Sequence, residues 1–284
     1  MKELDFINII KTETSNQFIG DDCAYLKEQN IVITQDNFVE DIHFKRNWAT
    51  PFQIGYKASA VNISDVLASG AVPEYITVGL SIPSDIDNDF IKELYRGITA
   101  GAYGAQIIGG DITGADKIFI SITAIGNTKG RKISSRSHAK EGYVIITHGE
   151  YGQSSKGLEE LTQGIKTSDN IIAHLEPKLN PEFSEQISTK IKTDYAMMDT
   201  SDGLADALFK IAEASNCSIE ADLVDGMFCA EDYHLVAAVP KEFLKEINGY
   251  YVIGKIIKKS DFVIKIGNKK YNSYDKLGLY NHFA

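Results

Sequence analysis

The sequence predicts a protein of mixed α/β domains, and three observations carry that prediction. The chain has 284 residues, which at roughly 150 per domain allows one large or two medium domains. Strand-like and helix-like segments alternate along it rather than segregating. The stretch 127–142, NTKGRKISSRSHAKEG, breaks the alternation with Gly, Ser and basic residues and few large apolar ones. Such a shift marks a domain boundary, dividing the chain into 1–135 and 136–284.

The opening segment, with Phe6, Ile9 and Ile10 at helical spacing, predicts a short amphipathic helix that caps a core. The β-branched run 30–34, NIVIT, predicts a buried strand that delivers Asp36 at its tip. Small and apolar residues recur at helical intervals over 53–71 until Gly70 and Pro73 stop them. A second helix is expected over 89–103, with Phe90, Leu94 and Ile98 on one stripe. Strands are expected at 75–82 and 117–126, the latter alternating in IFISITAIG. After the boundary, YVIITHGEYGQSSKGLEEL reads strand, glycine-bearing turn, helix. A helix over 201–215, a strand in YYVIGKI and a hairpin turning at Gly267 and Asn268 complete the second half. No period of 20 to 50 residues indicates a solenoid.

Composition narrows the function. The 43% hydrophobic and 24% charged residues exclude a disordered or collagen-like chain. With 29 Lys and Arg against 39 Asp and Glu, the net charge is −10, which disfavours a nonspecific electrostatic hold on nucleic acid or anionic lipid. Cys23, Cys217 and Cys229 are odd in number and form no C-x-x-C pair, so neither a disulfide framework nor structural zinc is expected, and a reducing cytoplasm fits. The N-terminus builds no signal-peptide core, and no window is apolar enough to span a bilayer.

Chemistry is concentrated in aspartates placed beside glycines, hydroxyls or strand ends: Asp21 and Asp22 in IGDDCA, Asp36 in ITQDNF, Asp65 in VNISDVLASGA, Asp111 in IIGGDITG, and Asp199 and Asp202 in MMDTSDGL. Singly, each is better explained as a turn or cap residue. Asp65 lies inside a helix-like stretch and Asp111 follows a buried-looking IIGG, and buried carboxylates need a partner or a metal. Oxygen-only ligation selects Mg²⁺, usually shared with phosphate oxygens. Known phosphate loops are absent: Gly152 to Gly157, GQSSKG, has Walker A glycine spacing but continues Leu158, Glu159. Neither G-x-G-x-x-G after a strand, nor G-x-S-x-G, nor H-E-x-x-H occurs. Arg136, in SSRSHAK, is an ordinary loop charge unless the site around it binds phosphate.

Taken in order, GDDCAYL, ITQDNFVEDIHF, GYKASAVNISDVLASGAVP, AYGAQIIGGDITG, SRSHAKEGYVIITHGEYGQSSKGL, MMDTSDGLADAL, AEDYHLV and a terminal YNHF resemble the thiamine-monophosphate kinase family over 20–283. That family is part of the superfamily of aminoimidazole ribonucleotide synthetase, selenophosphate synthetase and the hydrogenase maturation dehydratase. The resemblance implies an α+β fold of two mixed α/β domains of the aminoimidazole ribonucleotide synthetase-like type, with N-terminal domains pairing through their sheets in a homodimer. It implies ATP-dependent phosphorylation of thiamine monophosphate to thiamine diphosphate with several Mg²⁺ ions. By motif position it carries metal ligands onto Asp22, Thr34, Gln35, Asp36, Asp65, Asp111, Asp199 and Asp202. It carries nucleotide contacts onto Tyr103, Gly110, Asp111, Arg136 and Ser201, and substrate contacts onto His43, Glu231 and Tyr280. Gln35 stands where the family usually has Thr, Asp41 where it has Gly, and Ile112 where it has Thr. An amide oxygen at Gln35 can still ligate Mg²⁺. The rival readings are another ATP-dependent enzyme of the superfamily and a nucleotide-binding module without catalysis; retention of all seven carboxylates argues against the second.

Overall fold

The computed structural model describes residues 2–279. Its first half contains α1 (Lys2–Thr14), β1 (Ala24–Leu26), β2 (Ile31–Val39), α2 (Pro51–Ala68), β3 (Val72–Ile82), α3 (Asn88–Gly101), β4 (Gln106–Gly114) and β5 (Phe119–Asn127). The five strands form one sheet in the order β1-β2-β5-β3-β4, with only the β3–β4 pair parallel. α2 opens on a capping box between Thr50 and Gln53, with Pro51 in its first turn, so its start is encoded locally.

Alternate residues of β5, among them Ile120, Ile122 and Ala124, are buried. They face the core shared with α2 and α3, while Ser121 and Thr123 point to the other side. The two helices pack backbone to backbone. A Cβ on Gly55 would lie 2.0 Å from the Leu94 carbonyl oxygen, and one on Gly97 would lie 1.9 Å from that of Phe52. Gly97→Ala must therefore part α2 from α3, and the expected loss is about 3 kcal/mol, measured by urea denaturation.

The second half contains β6 (Val144–Thr147), α4 (Gln153–Thr162), α5 (Asp169–Leu175), α6 (Pro181–Lys190), β7 (Ala196–Asp199), α7 (Leu204–Ala214), β8 (Ser218–Ala221), β9 (Leu235–Val239), β10 (Tyr251–Ile257), β11 (Ile264–Ile266) and β12 (Lys269–Tyr271). Its seven strands run β12-β11-β8-β10-β6-β9-β7. Both faces of the central strands are covered. Along β9, Val236 and Ala238 join a core with α7, whereas Leu235, Ala237 and Val239 join the core that also holds α2 and the first sheet. One hydrophobic core therefore crosses from one half of the chain to the other, and the groups at its edge come from both.

Three expectations need correction. The apolar stripe of α1 caps no core among the described residues: Ile9 and Ile10 are exposed there. Asp36 is not at a strand tip, since β2 continues pairing with β5 as far as Val39 opposite Phe119. IIGG is not buried: all of β4 is exposed, because it is the last strand of its sheet and neither α2 nor α3 covers it. Asp111 is exposed with it, which removes burial as the reason to assign it a metal.

Candidate active site

The carboxylates gather where α2, β2, the loop before β1 and the end of β7 meet. Oxygens of Asp22, Asp65 and Asp199 lie within 4.8 Å of one another. Each is held by a neighbour. Thr34 on β2 donates its hydroxyl to Asp65 at 2.6 Å, and Ser64, one residue earlier on α2, donates to Asp199 at 2.6 Å. Arg136 donates to Asp22 at 2.7 Å. Asn62 ties the helix to the strand by accepting the Asp36 N–H at 2.9 Å.

Burial raises the pKa values of Asp36, Asp65 and Asp199, and the like charges add to it. Asp36 is pushed up to about 6 by burial, then by Asp22 and Asp202. Burial, with Asp22 next, pushes Asp199 to about 7 despite the Ser64 bond. Asp65 is raised well above the ordinary range by burial, Asp36 and Asp199. Oxygen donors that repel one another at this spacing fit a hard divalent cation such as Mg²⁺, which would remove the repulsion.

The other predicted residues divide. Asp202 is exposed and bonded to Lys210 of α7 at 2.9 Å. Ser201 reaches Asp199 through its N–H at 3.4 Å. Gln35 points to the opposite side of the sheet from Thr34 and Asp36, where its amide bonds Ser121 at 3.1 Å and Thr123 at 3.0 Å. Asp111 falls in the same outward row, paired through Gly79 with Ser121. The eight predicted metal ligands thus do not share one side: Gln35 and Asp111 lie on the opposite face of the first sheet from Thr34 and Asp36. Gly110 is dictated by packing, since a Cβ would sit 2.0 Å from the Val78 carbonyl oxygen. The Tyr103 hydroxyl accepts from the Leu179 N–H at 2.9 Å and lies 3.1 Å from the Tyr56 hydroxyl. Tyr280 lies outside the described residues.

The glycine-bearing turn before α4 is already occupied: Asp232 accepts from the N–H groups of Gly152 and Ser154 at 2.7 and 3.1 Å. That explains a Walker-like spacing with no phosphate role.

His43 and Glu231 approach a second part of the site. The His43 ring stacks on Phe38, and its Nδ1 accepts from the Val39 N–H at 3.0 Å. Glu231 meets Lys57 of α2 at 3.3 Å and His174 of α5 at 3.6 Å. Neither partner is apparent from motif reading. The available signal for Lys57 was a lone cation inside the small and apolar face of GYKASAVNISD.

With this geometry in hand, comparison with known proteins is informative. Residues 20–128 match the family model of the AIR synthase related protein N-terminal domain. The thiamine-monophosphate kinase of Bacillus subtilis is 36% identical over 236 residues, covering 78% of this chain and 73% of that protein. The chain belongs to the thiamine-monophosphate kinase family. The Prochlorococcus marinus family member is 33% identical over 280 residues, with 86% and 83% covered. AaThiL complexed with AMPPCP and TMP superposes with a TM-score of 0.86 at 27% identity, covering 96% of both chains. The thiamine monophosphate kinase of Aquifex aeolicus superposes at 0.84 and 27%, covering 95% of this chain and 98% of that one. Against this family, the mixed α/β architecture with two sheets is the expected one.

Proposed function

We propose that this chain phosphorylates thiamine monophosphate with ATP, giving thiamine diphosphate and ADP by direct transfer. The observation that carries this reading is the Asp22, Asp65 and Asp199 cluster beside Arg136, in a chain of the thiamine-monophosphate kinase family. AaThiL, a structural neighbour over nearly the whole chain, is complexed with AMPPCP and TMP.

The acceptor is a phosphate monoester with a second pKa of about 6, largely deprotonated at neutral pH, so no side chain has to remove a proton. The obstacle is charge. An anionic acceptor must approach an anionic triphosphate, and such transfers depend on positioning and neutralisation. Bound Mg²⁺ would supply that neutralisation. Asp22, Asp36, Asp65 and Asp199 would hold it in this cleft, Asp202 at its margin, and Gln35 and Asp111 on the open side of the sheet. Thr34 and Ser64 orient two of the carboxylates through their hydroxyls. Arg136 has a buried Nε without a hydrogen-bond partner among the described residues, which leaves a guanidinium donor for nucleotide phosphate. Ser201, Tyr103 and Gly110 complete the proposed nucleotide side.

His43 belongs to the acceptor side. Because its Nδ1 accepts from Val39, the neutral ring carries its proton on Nε2, which can donate to the acceptor phosphate. His43→Ala is expected to raise KM for thiamine monophosphate by about 10- to 100-fold, as for a hydrogen bond to a charged group, and to leave KM for ATP unchanged. If the ring only packs on Phe38, the melting temperature falls and both constants stay put.

The dimer is part of the same proposal. β4 leaves a whole edge strand exposed with Ile107, Ile108 and Ile112, and an uncovered apolar edge is a pairing surface. Ile108→Asp should convert a dimer to a monomer in light scattering. We place the reaction in the cytoplasm. No helix among the described residues is long and apolar enough to cross a membrane, and the three unpaired cysteines suit a reducing compartment. The deciding assay incubates the protein with Mg-ATP and thiamine monophosphate. Thiamine diphosphate stoichiometric with ADP supports the reading, whereas free inorganic phosphate or binding without turnover overturns it. Burst labelling of the protein by γ-labelled ATP would exclude direct transfer.

A further inference from the structure

Lys57 sits in the middle of α2 with 2% of its side chain exposed. Its ammonium makes no hydrogen bond among the described residues, and its ion pair there is with Glu231 Oε1 at 3.3 Å. Burying an ammonium is costly, and an apolar side chain of similar length would pack without that cost. Folding alone does not call for a lysine here.

Glu231 is equally constrained. Its φ of +65° is in the left-handed region, unfavourable for a side chain of this size. Its N–H is tied to the Ser201 carbonyl at 2.7 Å. Its second oxygen, Oε2, lies 3.6 Å from His174 Nδ1, which is also 2.9 Å from the Ser154 hydroxyl. Burial and then Lys57 push His174 down to about 4. Lys57 is the nearest of the basic groups that face Glu231, which are Lys57, His174 and His43; burial lowers Lys57 too, and Glu231 offsets part of that. Lys57 and His174 also line, with His43, Gln53, Phe38 and Trp48, one small pocket, which Glu231 itself does not line.

We propose that Lys57 is a positioning residue of the acceptor site: reaching from the first half of the chain, it fixes the orientation of the Glu231 carboxylate of the second half, which meets the ring portion of the acceptor. This rests on the kinase reading above. The ring portion of thiamine monophosphate carries a thiazolium cation and an aminopyrimidine donor. A carboxylate bound on one side by Lys57 keeps lone pairs for either of them. Neither charge needs to move during the reaction. Lys57 acts on binding of the acceptor, through Glu231, and not on the transferred phosphoryl group.

The test compares Lys57→Met, Glu231→Gln and the double variant with wild type, reading both KM values, kcat and the melting temperature. Lys57→Met should raise KM for thiamine monophosphate about tenfold, with KM for ATP within roughly twofold of wild type. The double variant should be no worse than Glu231→Gln alone, because Lys57 acts through that carboxylate. If Lys57→Met fails to fold for want of a partner for Glu231, the double variant removes both charges and the comparison with Glu231→Gln still decides. Independent, multiplying effects overturn the proposal, as does a Lys57→Met protein that changes only its melting temperature or shifts both KM values together. Wild-type protein that binds ATP but does not phosphorylate thiamine monophosphate overturns the kinase reading and this proposal together. Wild-type turnover with an unaffected Lys57→Met overturns this proposal alone.

Discussion

Replacing Asp65 by Asn is expected to lower turnover by roughly 10³-fold or more, about 4 kcal/mol of transition-state stabilisation, while leaving the metal-free protein at least as stable as wild type. The two effects have one cause. Asp65 is held by Thr34 at 2.6 Å and crowded by Asp22 and Asp199. An amide oxygen can keep the Thr34 bond, so the local fold of α2 survives. What disappears is one of three charges that repel one another in the empty cluster and would attract the cation in the loaded one. Removing that charge relieves the apo protein and weakens the site that neutralises the phosphates. Ser64→Ala, which takes the hydroxyl from Asp199, should cost about 10- to 100-fold, since it disturbs orientation and leaves the charge. Steady-state kinetics over a Mg²⁺ series, with melting temperatures in chelator, check both. Near-wild-type turnover of Asp65→Asn at limiting Mg²⁺ would remove the cluster from the chemistry.

In chelator, the melting temperature should fall by roughly 3–6 °C between pH 7 and pH 8.5, and saturating Mg²⁺ should abolish most of that fall. Asp199 is pushed up to about 7, chiefly by burial, and Asp65 well above the ordinary carboxylate range, also chiefly by burial. A carboxyl with a raised native value binds more protons when folded than when unfolded. Its stabilisation is complete below the unfolded value near 4 and is lost as pH rises through the native one. Three histidines act in the opposite sense. Burial lowers His148 to about 3 and His174 to about 4, and it also lowers His234. They add stability as pH rises toward the unfolded histidine value near 6.5 and then stop. Above pH 7 the histidines no longer contribute, and the raised Asp65 carries most of the fall, opposed by Lys57, which burial lowers. A flat melting profile in chelator over that interval would mean that the three oxygens do not share one confined space. Asp65→Asn should flatten it.

Local patterning was enough to predict much of the fold. α2 and α3 were readable because apolar residues recur at helical spacing and because Gly70 and Pro73 stop the first of them, although their starts lie at Pro51 and Asn88 rather than at 53 and 89. β5 and the β11–β12 hairpin were readable from alternation and a Gly-Asn turn. β7, β8 and β9 were not. They have four or five residues each, and β9 is buried on both faces, so no period distinguishes such a strand from a short helix segment. The family was also readable, because its motifs recur in order along the chain.

Beyond much of the fold and the family, what the sequence alone determined about the site is a list of oxygen-bearing residues. Which of them act together was decided by tertiary structure. Thr34 and Gln35 are adjacent in sequence, yet the two-residue period of β2 sends them to opposite sides of the sheet. Asp111 looked buried beside IIGG, but strand order put it on an open edge. Ser64 and Asp199 are 135 positions apart and share a hydrogen bond, and Lys57 meets Glu231 only because one core joins the two halves. The physical reason is that a site charge is defined by its neighbours. Burial and repulsion set whether a carboxyl is protonated, paired or ready for a cation, and neighbours across more than a hundred residues exist only once the chain has packed.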